Sequence, residues 1–311
     1  MRNGELEVVS FASVYELAIE SIESGAGIAR LIDAGQRIAY DAVYEGRSEW
    51  KLLPAFDHPG EPARCLVSGT GLTHRKSAEN RQAMHAETAV VTDSMRMYQW
   101  GVEGGTPPPG QIGTAPEWFY KGTGCILRAH NEPLDVPPYA EDGGEEPELA
   151  GAYIITRDGR PVRIGILQGN EFSDHKTERR NYLYLAPSKL RTCSIGPEIV
   201  LDADFSAATG SVSIERGGAT IWQKSLASGE ANMCHSLANI EHHHFKFDEH
   251  RRPGDAHVHF FGADAFSFGE GVELQHGDVM QVAFEGFGRP LRNPLRVDQT
   301  RQEVVQVQSL L

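Results

Sequence analysis

Two runs rich in β-branched and large apolar residues, AYIIT and PVRIGIL, flank the tetrapeptide RDGR at residues 157–160. The pattern predicts a hairpin, because Asp158-Gly159 offers two positions that tolerate positive φ between strands. SVSIERGGATIWQKSL repeats the arrangement around Gly217-Gly218, and VELQHGDVMQVAFEGFG does so less regularly around Gly277. From about residue 115 the chain therefore reads as largely antiparallel strands with few helices. The first hundred residues read differently. ELEVVSF is strand-like, and Ser13-Val14-Tyr15-Glu16 forms a capping box backed by Val14, Leu17, Ala18 and Ile22 at helical spacing. A second helix is expected from near Ser77, carrying Met84, Val91, Met95 and Trp100. GVEGGTPPPGQIGTAP (101–116) is too rich in Gly and Pro for regular structure and marks a boundary or hinge. The expected architecture is α+β and mainly β, with residues 1–105 as a smaller α/β domain that would act as a lid and 106–311 as the β-rich catalytic domain.

Composition narrows the partners. The 311 residues carry a formal net charge of −14, and the pI is near 5.4. An acidic surface repels polyanions, so neither nucleic acid nor an anionic membrane is an expected partner. Cys65, Cys125, Cys193 and Cys234 are scattered without a CxxC pair. That argues against a structural zinc site or a disulfide scaffold and fits a reducing compartment. MRNGELEVV has no apolar leader character, and no run of about 18 apolar residues occurs. The expected location is cytoplasmic.

The chemistry concentrates at GEEPELAG (144–151). In a strand, Glu146 and Glu148 face the same side. Pro147 between them fits a strand start or an edge, where charges discourage sheet-to-sheet association. A third carboxylate, Asp174 in GNEFSDHKTER, follows the hairpin and can return toward the pair. Three hard oxygen ligands without cysteine favour Mg²⁺, with Mn²⁺ or Ca²⁺ as alternatives, over zinc.

At these residues the sequence resembles the fumarylacetoacetate hydrolase (FAH) superfamily, over roughly residues 65 to 297. Pro116-Glu117-Trp118-Phe119-Tyr120-Lys121 is similar to its P-x-x-F-x-K segment, and Glu146-Pro147-Glu148-Leu149-Ala150 to its E-x-E-L-A metal strand. Asp174 takes the place of the third ligand. Ser188-Lys189 and Ile195-Gly196-Pro197 resemble the lysine and G-P-x-I-V stretch. Gly277-Asp278-Val279, Gly286-Phe287-Gly288, Leu291 and Asn293-Pro294 resemble the closing G-D-x-V…G-x-G…L-x-N signature. The resemblance implies a mixed β-roll catalytic domain, a homodimer, and a 2-oxo acid that chelates the metal ion. It implies Glu146, Glu148 and Asp174 as ligands, Lys121 as a substrate-binding residue, and Lys189 as charge partner or proton shuttle.

Two departures sharpen that expectation. The family's N-Y-x-x-H-A-x-E pattern, whose His-Glu dyad activates water in hydrolases, corresponds to Thr73-His74-Arg75-Lys76-Ser77-Ala78-Glu79-Asn80. Serine and asparagine replace the dyad, and a serine without a base cannot activate water at neutral pH. The T-G-T turn that binds a substrate carboxylate corresponds to Phe261-Gly262-Ala263, with its hydroxyls gone. Both departures point toward the dehydratases of 2-keto-3-deoxy sugar acids in the same superfamily. For a 2-keto-3-deoxypentonate, C3 deprotonation, β-elimination of the C4 hydroxyl and tautomerisation give 2,5-dioxopentanoate, with Glu148, Lys189 or a metal-bound water as base. Alternatives are a C–C hydrolase of a 2,4-diketo-3-deoxy sugar acid, with His85 replacing the dyad, and a non-catalytic sugar-acid-binding relative. His242, His243 and His244 are adjacent and are not read as a metal site, while His257 and His259 read as structural histidines.

Overall fold

The computed structural model describes residues 4–33, 35–85 and 91–310, with Met84 and His85 described in their backbone alone. Its strands, numbered β1–β14 in chain order, form three sheets. A ribbon pairs β1 (Glu5–Glu7) with β2 (Arg37–Ala39). The seven-stranded sheet contains β3 (Cys65–Gly71), β4 (Glu117–Thr123), β5 (Leu127–Arg128), β7 (Pro147–Ile155), β8 (Pro161–Asn170), β9 (Cys193–Ile195) and β12 (Ala256–Phe260), in the order β4-β3-β12-β7-β8-β9-β5. The five-stranded sheet contains β6 (Leu134–Val136), β10 (Ala208–Arg216), β11 (Ala219–Ser228), β13 (Val279–Phe284) and β14 (Leu291–Val297), in the order β11-β10-β13-β14-β6. Pairing is antiparallel except for β3–β12, β5–β9 and β6–β14. The architecture is α+β and mainly β, and its β3 places a strand from before residue 105 between β4 and β12.

Two predicted hairpins form. β7 and β8 join across Arg157–Arg160, and β10 and β11 join at Gly217-Gly218, both with positive φ. The third does not. Asp278 is taken by both a bidentate Arg216 and the amide of Gln275, so the Gly277 turn leads into β13 without a strand before it. β13 pairs instead with β10 and β14.

Helix α1 (Val14–Ser24) starts where expected, with Ser13 Oγ accepting from the Glu16 amide, and it ends at Gly25 in the left-handed region. Short helices α2 (Ile28–Leu31) and α3 (Tyr40–Tyr44) follow. The single helix expected after Ser77 is two, α4 (Arg75–His85) and α5 (Asp93–Gly104). Val91 and Trp100 are exposed, so they form no core stripe. α5 also runs into the glycine-rich stretch that had been expected to be irregular. Gly101 is retained there because a Cβ would lie 2.7 Å from both Cys234 Sγ and His235 Nε2. Helices α6 (His175–Arg180), α7 (Leu185–Lys189) and α8 (Leu237–Phe245) complete the set, and the three adjacent histidines lie on α8. None of the described helices is long and apolar enough to cross a membrane, and all four cysteines are free.

β7 is the centre of the molecule. All nine of its residues are buried, and so is Glu146 just before it, which excludes the solvated-edge reading of Glu146 and Glu148. Ala150, Ala152 and Ile154 pack with Val67, Val258 and Phe260 on one face, covered by α1. Leu149 on the other face meets Val212, Val282 and Ile240 between the two large sheets.

His257 and His259 on β12 share a buried layer with α8. His259 is held by Ser68 (2.9 Å) and Thr70 (2.7 Å), His257 by His244 (3.1 Å), and the rings of His244 and His259 stack at 4.3 Å. Burial pushes His257 and His259 down to about 3 and His244 well below the usual histidine range. These side chains are neutral when folded, whereas the unfolded chain protonates them near 6.5. Stability is therefore full above that pH and falls as the pH drops toward 3, by about 1.4 kcal/mol per pH unit for each histidine. Urea midpoints between pH 7 and 4.5 check this. His259→Gln, which keeps polar partners for Ser68 and Thr70, should make the decline shallower, and an unchanged slope contradicts the assignment.

Candidate metal centre

The hairpin register builds the site. Pro147 pairs with Asn170 and Glu148 with Gly169. One residue further, the Glu171 amide donates to the Glu146 carbonyl at 2.9 Å. Glu146, Glu148 and Glu171 are all buried, and their carboxylate oxygens lie within 4.8 Å of one another. Among the described residues this is the one group of three or more metal-ligating side chains so arranged. Asp174, expected as the third carboxylate, is not brought into it. Beyond Glu171 the hairpin continues as Gly144↔Ser173, so Asp174 is carried past the pair. It caps α6 by accepting from the Thr177 amide (2.9 Å), accepts from Glu141 N (3.0 Å) and pairs with Arg191 at 3.1 Å. Glu171 was missed, although antiparallel partners keep a near-constant sum of residue numbers. Counting outward from Asp158-Gly159 leads from Glu146 to Glu171.

Two lysines enter the same group. Lys189, at the end of α7, reaches Glu146 Oε1 (2.7 Å) and Glu171 Oε2 (2.6 Å) and lies 4.7 Å from the Phe119 ring centroid. Lys121 on β4 reaches Glu171 Oε1 (2.6 Å) and the Phe172 carbonyl (2.8 Å). In the sheet, β3, β12 and β7 separate β4 from β8, so this contact requires the sheet to curl. Burial works against the charge on Lys189, yet the carboxylates of Glu146 and Glu171 hold its pKa above the usual lysine value. Burial prevails at Lys121, whose pKa is lowered despite Glu171.

The glutamates differ in the same way. Burial would raise Glu146, but Lys189 and His175 hold its carboxyl well below the usual range. Glu148 is pushed well above it by burial and by the charges of Glu171 and Glu146. Its Oε2 accepts from the Gly262 amide at 2.7 Å. Three carboxylates this close cannot all ionise cheaply without added positive charge. Their hard oxygens suit a divalent cation of the Mg²⁺ type, so the residues present fit such an ion.

The turn expected to bind substrate lies against this group. Gly262 has φ +101, and a Cβ there would fall 2.0 Å from Thr73 Oγ1, so the residue must be glycine. Ala263 is buried beside it. Thr73 Oγ1 donates to the Phe261 carbonyl (2.8 Å) and lies 2.9 Å from His74 Nδ1. With its own hydrogen committed, Thr73 accepts from Nδ1–H, leaving Nε2 of His74 as a bare lone pair. That atom is buried without a partner among the described residues, and burial lowers the His74 pKa to about 4. Sequence reasoning passed over His74. Ser77 is buried on α4 one turn later, and the side chain of His85 lies outside the described residues. Helix α4 is tied down by Arg81, whose guanidinium contacts both oxygens of Glu117 (2.8 Å each) and Glu178 Oε1 (2.8 Å).

No family model matches the sequence, and no curated protein matches it. Solved structures do. The structure of 2-keto-3-deoxy-D-arabinonate dehydratase complexed with magnesium and 2,5-dioxopentanoate is similar at TM-score 0.72 and 18% identity, over 96% of this chain and 94% of that one. A 2-hydroxyhepta-2,4-diene-1,7-dioate isomerase from Mycobacterium marinum matches at TM-score 0.54 and 17% identity, over 86% of this chain and 84% of that one. A 5-carboxymethyl-2-hydroxymuconate delta-isomerase from Mycobacterium smegmatis matches at 0.53 and 18%, over 86% and 87%. With its curled seven-stranded sheet, the chain shares the α+β fold of these structures, an FAH-like fold of the kind the sequence resemblance implies.

Proposed function

We propose that the protein is a Mg²⁺-dependent hydro-lyase that dehydrates a 2-keto-3-deoxy sugar acid of pentonate size to 2,5-dioxopentanoate, acting as a homodimer. The observation that carries this reading is the buried group Glu146, Glu148 and Glu171, on a fold shared with a dehydratase whose structure holds magnesium and that dioxo acid. A divalent cation held by these carboxylates supplies a Lewis acid for the substrate's 2-oxo carboxylate. Lys189 is kept protonated by Glu146 and Glu171, which makes it a donor and not a base. We assign the C3 proton to Glu148, which belongs to the carboxylate group and whose Oε2 meets the Gly262 amide of the turn that would hold the substrate. The C4–O bond then breaks with its electron pair, Lys189 supplies the proton that completes the departing water, and tautomerisation of the resulting 3,4-alkene, with protons leaving C5 and its hydroxyl for C3 and C4, gives 2,5-dioxopentanoate. Lys121 and the Gly262-Ala263 turn hold the substrate's carboxylate end, and His74 Nε2 accepts from a substrate hydroxyl. Ser77 and Asn80, where the family's hydrolases carry a His-Glu dyad, leave attacking water without a base.

The test is mass spectrometry of products after incubation with Mg²⁺ and 2-keto-3-deoxypentonates of both configurations, with a 2,4-diketo-3-deoxypentonate in parallel. Cation-dependent loss of water, absent in Glu148→Gln, is expected. Pyruvate from the diketo acid alone would replace this reading with C–C hydrolysis.

A further inference from the structure

Glu145 immediately precedes Glu146 in the chain, but its carboxylate has partners of its own. It is fully buried, and both of its oxygens go to one residue: Oε1 accepts from the Ser267 amide at 2.6 Å and Oε2 from Ser267 Oγ at 2.9 Å. Ser267 lies between Phe266 and Phe268. Both rings stack on the imidazole of His175, at centroid distances of 4.9 Å (10° between planes) and 5.1 Å (24°). The ring is therefore held in one plane, and its Nε2 lies 3.0 Å from Glu146 Oε1.

The surrounding sequence fits this ring. His175 is the first residue of α6, immediately after its cap Asp174, so the Asp174 hydrogen bonds fix where the helix begins and where the imidazole emerges. Gly144 cannot be larger, because a Cβ would lie 2.5 Å from His175 Nδ1 and 2.7 Å from Cε1. Glu145, Gly144, Asp174 and two phenylalanines thus converge on the placement of one side chain that touches one carboxylate oxygen.

We infer that His175 is a positioning residue for Glu146 in cation binding, and that the Glu145–Ser267 contact keeps its aromatic clamp closed. The inference rests on the metal-centre reading above. A free glutamate side chain must give up several torsions to ligate an ion, and a hydrogen bond from a ring that cannot turn removes that freedom in advance. Hydrogen bonds that orient ligands from outside commonly change metal affinity by about 10–100-fold.

The experiment is calorimetric titration of the metal-free full chain with Mn²⁺, alongside urea midpoints. His175→Phe keeps an aromatic ring between Phe266 and Phe268 but offers no donor, and should weaken Mn²⁺ binding by about 10–100-fold. His175→Gln restores an amide donor and should recover most of the loss, which a purely structural role would not produce. If His175→Phe fails to fold, Ser267→Ala is read in its place and should show a smaller loss in the same direction. Unchanged Mn²⁺ affinity in the folded variants overturns the positioning role alone. Absence of Mn²⁺ binding in the wild-type chain overturns the metal centre and this inference together.

Discussion

Glu171→Gln should remove cation binding and turnover, whereas Asp174→Asn should lower stability and weaken cation binding by no more than the roughly 10–100-fold expected from displacing His175. Glu171 carries charge contacts from both Lys121 and Lys189, each fully buried. Neutralising it leaves two ammonium groups sharing less negative charge, and breaking such a buried pair costs about 3–5 kcal/mol. The loss of Mn²⁺ affinity should exceed the roughly 10–100-fold that outer hydrogen-bond partners command, because Glu171 is proposed as a direct ligand. Asp174 has no such contact with the carboxylate group. Its carboxyl, held below the usual range against the effect of burial by Asp142, by the Thr177 and Glu141 amides and by Arg191, belongs to the start of α6. Calorimetric titration with Mn²⁺ and urea denaturation of both variants separate the two roles. Cation binding lost in Asp174→Asn and kept in Glu171→Gln would reverse the assignment.

Arg81→Met costs about 3–5 kcal/mol of stability. Arg81, Glu117 and Glu178 are almost entirely buried, and the guanidinium is 2.8 Å from each acidic partner. Tyr182 Oη adds a 2.6 Å hydrogen bond to Glu117. Methionine fills a similar volume but strands two carboxylates in the interior, where each lacks its counter-charge. The contact also ties α4, which carries Ser77 and follows His74, to β4 and α6. Loss of activity should therefore accompany loss of stability. A change below about 1 kcal/mol in the urea-derived unfolding free energy would show the network to be solvated rather than structural.

Much of the fold was legible because local chemistry and tertiary structure agree. Ser13 caps α1, Asp158-Gly159 and Gly217-Gly218 turn their hairpins, and Glu146 and Glu148, on either side of the first residue of β7, bring their carboxylates into one group. Expectations failed where a distant side chain decided the outcome. Asp278 is claimed by Arg216, sixty-two residues away in sequence, which converts an apparent hairpin at Gly277 into a lead-in to β13. Gly101 looked like a helix breaker, but it is the residue that lets α5 approach Cys234 and His235.

The site followed the same division. Lys121 and Lys189, named through a resemblance to a family, are brought onto the acidic group by the curl of the sheet. Asp174 was expected beside the glutamate pair, but hairpin register brings Glu171, three residues earlier, to that place. His74 and His175 carry no spacing signal. Their importance lies in an Nε2 without a partner among the described residues and in a stack of rings from residues 91 and 93 positions later, which only the folded chain displays.

The most direct measurement is the anomalous difference map of a crystal of the full chain equilibrated with Mn²⁺. The account predicts one strong peak about 2.1 Å from oxygens of Glu146, Glu148 and Glu171, with Lys189 withdrawn from at least one of its present carboxylate contacts. A peak on Asp174, or no peak among the three glutamates, would contradict it.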